Sequence, residues 1–300
     1  AEKVLPPINA GSMNFAYGIF GNEGMRDVET RRAPNSEPNK VNVSAGSQTG
    51  ELEEHTIETQ YDYVRLLASS EAFKDNGDNF RVLHGTAIRQ LVQIQKEKKV
   101  ADIVFSAGNY GSNTASNVNF SSTGIRDVIL AAKDARQQAT GKRLGKGVAG
   151  QTTHRFLLKN TDIIDLLKNR NQGNKPTYET IAEYLELDEY HVGSAVSQTA
   201  AANGAAGTAT SLWTADSFAL IASDGSTNAD TGFSSNGTTY SQAFAKLFTM
   251  NSPLSGTRVA VRTWVPEPGL FEYMLYSEFF KPSLTFSAAG YLWTDTNQAA

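Results

Sequence analysis

The residues with most chemical potential in this chain are a glycine and lysine cluster from Gly141 to Gly150, GKRLGKGVAG, four histidines, and Ser194 following Gly193. A phosphate-binding loop needs a lysine directly after its second glycine, so that backbone amides cradle the phosphates while the ammonium neutralises them. Gly145 and Gly150 stand as the loop glycines should, yet Gln151 occupies the lysine position, and Gly141 and Gly145 are one residue too close. His55, His84, His154 and His191 lie far apart, without the HExxH or paired spacing that brings two ring nitrogens to one metal ion. No GxSxG elbow surrounds Ser194, which falls in an apparent strand. Cysteine is absent, which excludes thiolate catalysis, thiolate metal sites and disulfides. No catalytic, cofactor-binding or metal-binding residue is assigned. The histidines read as surface or hydrogen-bonded residues, and Trp213, Trp264 and Trp293 as core aromatics.

Composition narrows the class further. A net charge of -4, from 27 basic and 31 acidic residues, argues against a surface that clamps nucleic acid or an anionic membrane as a whole. With 40% hydrophobic residues, 300 residues can bury a real core as one large domain or two medium ones. No apolar run approaches the ~20 residues that span a bilayer. The amino end, AEKVLPPINAG, lacks the apolar segment of a signal peptide, so cytosolic synthesis is expected.

The element that must position everything else is Asn79 to Phe105, NFRVLHGTAIRQLVQIQKEKKVADIVF, the longest uninterrupted helical pattern. Phe80, Leu83, Ala87, Leu91 and Ile94 form an apolar stripe, which Val100, Ala101 and Val104 resume after a charged turn. Asp78 or Asn79 is expected to cap its amino end, and Lys96, Lys98 and Lys99 to lie where the helix dipole favours positive charge. At ~1.5 Å per residue the rod measures roughly 39 Å, a brace that points to architecture rather than catalysis.

Residues 1–25 combine Pro6, Pro7 and scattered aromatics without a helical or strand period, and read as an arm. Its Phe15, Tyr17 and Phe20 must be covered by the body or by a neighbouring subunit. From Arg26 to Ala68, short alternating runs joined by PNSEPN read as a ribbon with both faces polar, marginal alone and held by something outside itself. Arg26, Arg31 and Arg32 oppose Glu51, Glu53 and Glu54 along it, and Pro34 to Lys40 forms a stiff tip. These residues are the candidate inter-subunit contacts. Downstream, Ser122 or Thr123 is expected to open a helix carrying Ile125, Ile129, Ala132 and Ala135 on one side, with Gly141 ending it. THRFLLKNTDIIDLLKN reads as one apolar helical stretch, and Pro176 and Thr177 start another helix. Strands intermix in an α+β manner, and beyond the polar loop of residues 223–239 the chain closes in aromatic-rich strands.

This order of parts resembles the major capsid proteins of tailed bacteriophages with the Hong Kong ninety-seven fold. The stretches that carry the resemblance are RDVETRRAPNSEP in the ribbon, AIRQLVQIQKEKKVADIVFSAGNYG in the long helix and GIRDVILAAKDARQQATGKR in the next. IAEYLELDEYHVGSAVSQTAA with LWTADSFALIA, and the closing VAVRTWVPEPGLFEYMLYSEFFKPSLTFSAAGYLW, complete it in the family's order over nearly the whole chain. The resemblance implies an α+β fold with an N-arm at residues 1–25 and an extended E-loop ribbon at 26–75. A peripheral domain with the spine helix would take 76–119 and 256–300, and an axial domain 120–255. It further implies self-assembly into pentamers and hexamers of an icosahedral shell around non-specifically held double-stranded DNA. Scaffolding, portal and decoration proteins would be partners, and the virion the location. Self-crosslinking members need a ribbon lysine and a partner asparagine. Lys40 fits the first, no motif identifies the second, and crosslinking is not expected. An encapsulin-like compartment would keep the same fold around cargo enzymes. A monomeric hydrolase or sugar-binding protein with a β-rich exterior is the reading from another class, and particle size separates it from both.

Overall fold

The computed structural model describes residues 1–20, 45–62, 77–169, 176–198, 207–222, 239–241, 243–253, 255–266 and 271–296. Strands β1 (Pro7–Asn9), β2 (Asn14–Phe20), β3 (Ala45–Glu51) and β4 (Glu53–Asp62) precede the long helix α1 (Gly77–Val104). A 3₁₀ turn at Ala107–Tyr110, strand β5 (Thr114–Ser116), helix α2 (Ile125–Thr140) and strand β6 (Lys146–Gly150) come next. Helices α3 (Gln151–Lys159), α4 (Thr161–Asn169) and α5 (Tyr178–Tyr184) lead to strands β7 (Glu189–Gly193), β8 (Val196–Gln198), β9 (Ala209–Ser211) and β10 (Phe218–Ile221). Strands β11 (Thr239–Ser241), β12 (Ala245–Met250), β13 (Val259–Trp264), β14 (Phe271–Leu284) and β15 (Gly290–Thr294) complete the fold.

The first sheet runs β1-β12-β14-β13, with β4 on the other edge of β14. Its axis is β14, whose Met274, Tyr276, Glu278 and Phe280 are buried at alternate positions beneath α1. Strand β4 pairs with β14 from Glu53↔Phe280 to Asp62↔Phe271. Its Glu53, His55, Ile57 and Thr59 are half-buried, while Glu54, Thr56, Glu58 and Gln60 are exposed. Residues 53–62, read from the sequence as part of a ribbon held by something outside itself, are therefore an edge strand of the first sheet. The strand's polarity is misleading because its inward polar groups meet partners on α1. The antiparallel partner of β3 is instead β2, within the expected arm, so the boundary placed at residue 25 falls inside one paired unit. Phe15 and Tyr17 of β2 pack on Phe248 with Leu52, Met250 and Phe279, so the body of the subunit covers them.

The second sheet runs β5-β15-β10-β6-β7. One of its faces sends Val148, Ala219, Ile221 and Leu292 into the core beneath α1, and the other packs Phe218, Leu220 and Trp293 against α2 to α5. Sheet membership crosses the expected domain limits: β15 belongs to the second sheet, and β12, from the range 120–255, to the first. The expected single helical stretch after Gly150 is two helices. Asn160, fully buried, breaks it by accepting from the Asp162 and Ile163 amides at 3.0 and 3.4 Å. Gly141 ends α2 in the left-handed region at φ 66, as its position implies, but α2 starts from Gly124 rather than from a Ser122 or Thr123 cap.

Candidate inter-subunit surfaces

The chemical candidates resolve as structural groups. Within the glycine and lysine cluster, residues 146–150 form the buried strand β6. The helix that follows has its first free amides taken: Thr152 and Thr153 donate to the Ala215 carbonyl at 2.8 and 3.1 Å. A Cβ on Gly150 would stand 2.1 Å from the Thr214 carbonyl oxygen, so this glycine serves close backbone packing and not a phosphate. His55 stacks on Phe280 at 3.9 Å, His154 Nδ1 lies 3.0 Å from the Tyr190 hydroxyl, and His191 Nε2 lies 2.9 Å from Glu189. Burial, above all, holds all three rings below the ordinary imidazole range, so each is neutral at pH 7. His84 Nδ1 meets the Thr59 hydroxyl at 3.4 Å. Ser194 lies just past the end of β7. Among the described residues no group of His, Asp and Glu is placed to hold a metal ion, and no helix is long and apolar enough to cross a membrane.

Of the expected contact residues, Arg26, Arg31, Arg32, Pro34 and Lys40 lie outside the described residues. Glu51 is exposed at the end of β3. Glu54 is exposed and accepts from the Ser277 hydroxyl at 2.8 Å. Glu53 faces the other way and is bound by its own subunit, to Lys99 of α1 and, at 3.4 Å, to Lys281. The hydrogen bond from Lys99 is the main cause holding its carboxyl below the usual range.

The lysines of the long helix overturn their expected role. Helix α1 runs from Gly77 to Val104, so Asp78 and Asn79 are inside its first turn rather than capping it, and its last turn carries no basic residue. Lys96 is fully buried. Its Nζ donates to Glu278 Oε1 at 2.6 Å, itself fully buried, and to Glu2 Oε1 at 2.9 Å. Arg258 completes the cluster, with Nη2 2.8 Å from Glu2 and Nε 3.2 Å from Glu278. Gln93 and Tyr276 reach the second oxygen of Glu278 at 3.4 and 3.5 Å. Burial pulls the Glu2 carboxyl up, but the hydrogen bond and charge of Lys96, with Arg258, outweigh it and hold it below the ordinary value. The sequence signal for this cluster was the four-residue step Ile88, Val92, Lys96, Val100, Val104, all buried.

The apolar stripe read from the sequence divides: Leu83, Ala87 and Leu91 face outward, while its continuation through Val100, Ala101 and Val104 is buried. Leu83 and Leu91 are 57% and 50% exposed, with Val82 at 66% beside them. A second exposed apolar area lies on the first sheet, where Trp264, 39% exposed and not a core residue, stacks on Tyr273 at 5.6 Å. Val261, Val265 and Phe271 are also exposed. Apolar surface is thus exposed on both a helix and a strand, more than scattered single residues would give.

No family model matches the chain. The major capsid protein of Pseudomonas phage JBD67 is 26% identical over 202 residues, a match taking in 65% of this chain and 63% of that relative's length. Among solved structures, a phage-related protein from Bordetella bronchiseptica RB50 has a TM-score of 0.70 at 15% identity, over 99% of this chain and 92% of that one. The capsid of the cyanophage P-SCSP1u gives 0.56 at 11% identity, over 98% and 87%. A holo encapsulin complex from Synechococcus elongatus PCC 7942 gives 0.53 at 10% identity, over 99% and 88%. The α+β fold is thus one found in phage capsids and in an encapsulin.

Proposed function

We propose that this chain is the major capsid protein of a tailed phage, a non-enzymatic subunit that assembles into a closed shell around double-stranded DNA. The observation that carries the proposal is a mixed α+β fold matched over nearly the whole chain by capsid structures, together with a curated capsid protein related over 202 residues. The first sheet under one long helix supports reading α1 as the spine helix of a Hong Kong ninety-seven fold. On that reading the first sheet with α1 is the peripheral domain, and the second sheet with α2 to α5 the axial one. The β2 and β3 pair is the root of the E-loop, flanking residues 21–44. Pentamers and hexamers, packaged DNA held without sequence specificity, and scaffolding, portal and decoration proteins follow as partners. The chain is made in the host cytoplasm and resides in the virion.

Contacts between copies then fall to residues that lie between β2 and β3 in the sequence, Arg26, Arg31, Arg32, Pro34 and Lys40, on one subunit against Glu51 and Glu54 of another. Glu53 joins them only by sharing or exchanging its own partners, since Lys99 holds its Oε2 and Lys281 its Oε1. Heterologous contacts of this kind repeat around a symmetric ring, so weak pairs sum to a stable particle. Gel filtration with negative-stain microscopy tests the proposal, with megadalton shells expected; a stable 32.4 kDa monomer under all conditions would sink it. Nuclease-protected DNA inside the shells supports the phage reading, and a captured enzyme the encapsulin-like one. Replacing residues 34–40 with a Gly-Ser linker of equal length is expected to leave the subunit folded and soluble while closed shells are lost. Shells that form as before would remove the tip from the contact set.

A further inference from the structure

We propose that residues 2–5 form a detachable latch that sets how the first sheet with α1 sits against the second sheet. Three observations converge on it. Two lysines buried in different layers depend on this short segment: Lys96, fully buried on the face of α1 that packs on the first sheet, reaches Glu2 at 2.9 Å, and Lys146, 2% exposed on β6 of the second sheet, donates to the carbonyls of Lys3 and Val4 at 2.8 and 3.3 Å. The remaining partner of Lys146 is Glu189 at 3.0 Å, half exposed, while Lys96 keeps Glu278. Val4 and Leu5 insert into the core that the two sheets share. A cavity of about 730 Å³ is lined by residues 1–4 themselves, by Gln93 and Glu97 of α1, and by Tyr190, Ser194 and Trp213.

The chemistry of these contacts makes the segment separable from the rest of the fold. Removing residues 2–5 from their seat exposes two apolar side chains and leaves each buried ammonium with a single carboxylate, while the second sheet keeps its core against α2 to α5 and the first its contacts with α1. The cavity gives the segment room to leave without displacing either sheet. With the latch seated, one cation on α1 and one on the second sheet are bonded to the same few residues, which couples the two halves as a single body. With it withdrawn, the shared core loses Val4 and Leu5 and the halves can shift against each other, as hinge and shear transitions do. The device is a property of the folded subunit and does not depend on the shell reading.

Trypsin supplies the test, because Lys3 is exposed but the Lys3–Val4 bond lies in the seated latch and can be cut only when the segment opens. The rate of cleavage after Lys3, followed by mass spectrometry of the whole chain, is compared with the midpoint of cooperative unfolding in urea. Glu2→Gln removes the charge that Lys96 and Arg258 share and is expected to raise the cleavage rate about tenfold or more, the effect of weakening charge-assisted hydrogen bonds, well beyond what any fall in midpoint accounts for. Arg258→Gln, further from the buried lysines, is expected to act in the same direction more weakly. Unchanged cleavage in both variants overturns the latch. So does cleavage that rises only in step with a falling midpoint, since that would make residues 2–5 an inseparable part of the global fold.

Discussion

Lys96 shows how much a single side chain can redirect a fold. A fully buried ammonium is tolerated because Glu278, Glu2 and Arg258 form a closed set of charges around it, with Phe280 5.1 Å below the cation. Taking one member away leaves the others desolvated and underpaired. Lys96→Met is expected to cost about 3 kcal/mol in urea denaturation, since Glu278 would retain only Arg258 as a cationic partner. Adding Glu278→Leu should recover much of that loss, because an apolar pair of similar volume has no desolvation to offset. Losses that simply add in the double variant would mean the two charges do not act as a unit.

Helix α1 carries the same lesson at the scale of an element. The stripe Phe80, Leu83, Ala87, Leu91, Ile94 advances by three or four residues at a time and so keeps one direction along a straight helix. The buried positions Ile88, Val92, Lys96, Val100 and Val104 advance by four each time, which turns the contact line by about 40° per step. A line that turns suits a helix crossing a twisted sheet. The charged residue in its middle hid it from a reading based on apolar period. Leu91→Ala is therefore expected to change stability by no more than about 0.5 kcal/mol, and Ile88→Ala to cost about 2–4 kcal/mol, in paired denaturation curves. The reverse order would restore the sequence-read stripe as the core face. Elsewhere local chemistry was plain: Gly141 as a helix stop, Thr177 accepting from the Thr180 amide at the start of α5, and the alternating strands β13 and β14. What the sequence left dark was partner choice, as with β4, whose polar inward face makes sense only once Lys99 and His84 lie above it.

At the scale of the whole molecule, pairing across the sequence is long-range and polar at several seams, so acid should act on many points at once. Glu2, Glu53 and Glu189 are held below the ordinary carboxylate value of 4.5, and His55, His154 and His191 below the ordinary imidazole value of 6.5. For Glu53 the hydrogen bond from Lys99 leads; for Glu2 and Glu189 burial opposes the shift, and their hydrogen bonds and neighbouring charges prevail. For the three histidines burial leads. Both sets have folded values below their unfolded ones, so in both the unfolded chain takes up protons first as pH falls. The stability they contribute is fully present above the unfolded value and drains away as pH drops toward the folded one. Two limbs are expected in urea midpoints measured from pH 8 to pH 3: a shallow decline beginning near 6.5 from the histidines, and a steeper one below about 4.5 from the carboxylates. His154→Phe and Glu53→Gln separate them, the first flattening the upper limb and the second the lower. The partly exposed carboxylates are screened by solvent and salt, so raising ionic strength should shrink the lower limb while leaving the histidine limb, which comes from burial, nearly unchanged. Stability that rose on acidification from pH 7 to 5 would show instead that the folded subunit binds protons more tightly than the unfolded chain, and that the buried rings are charged in the native state.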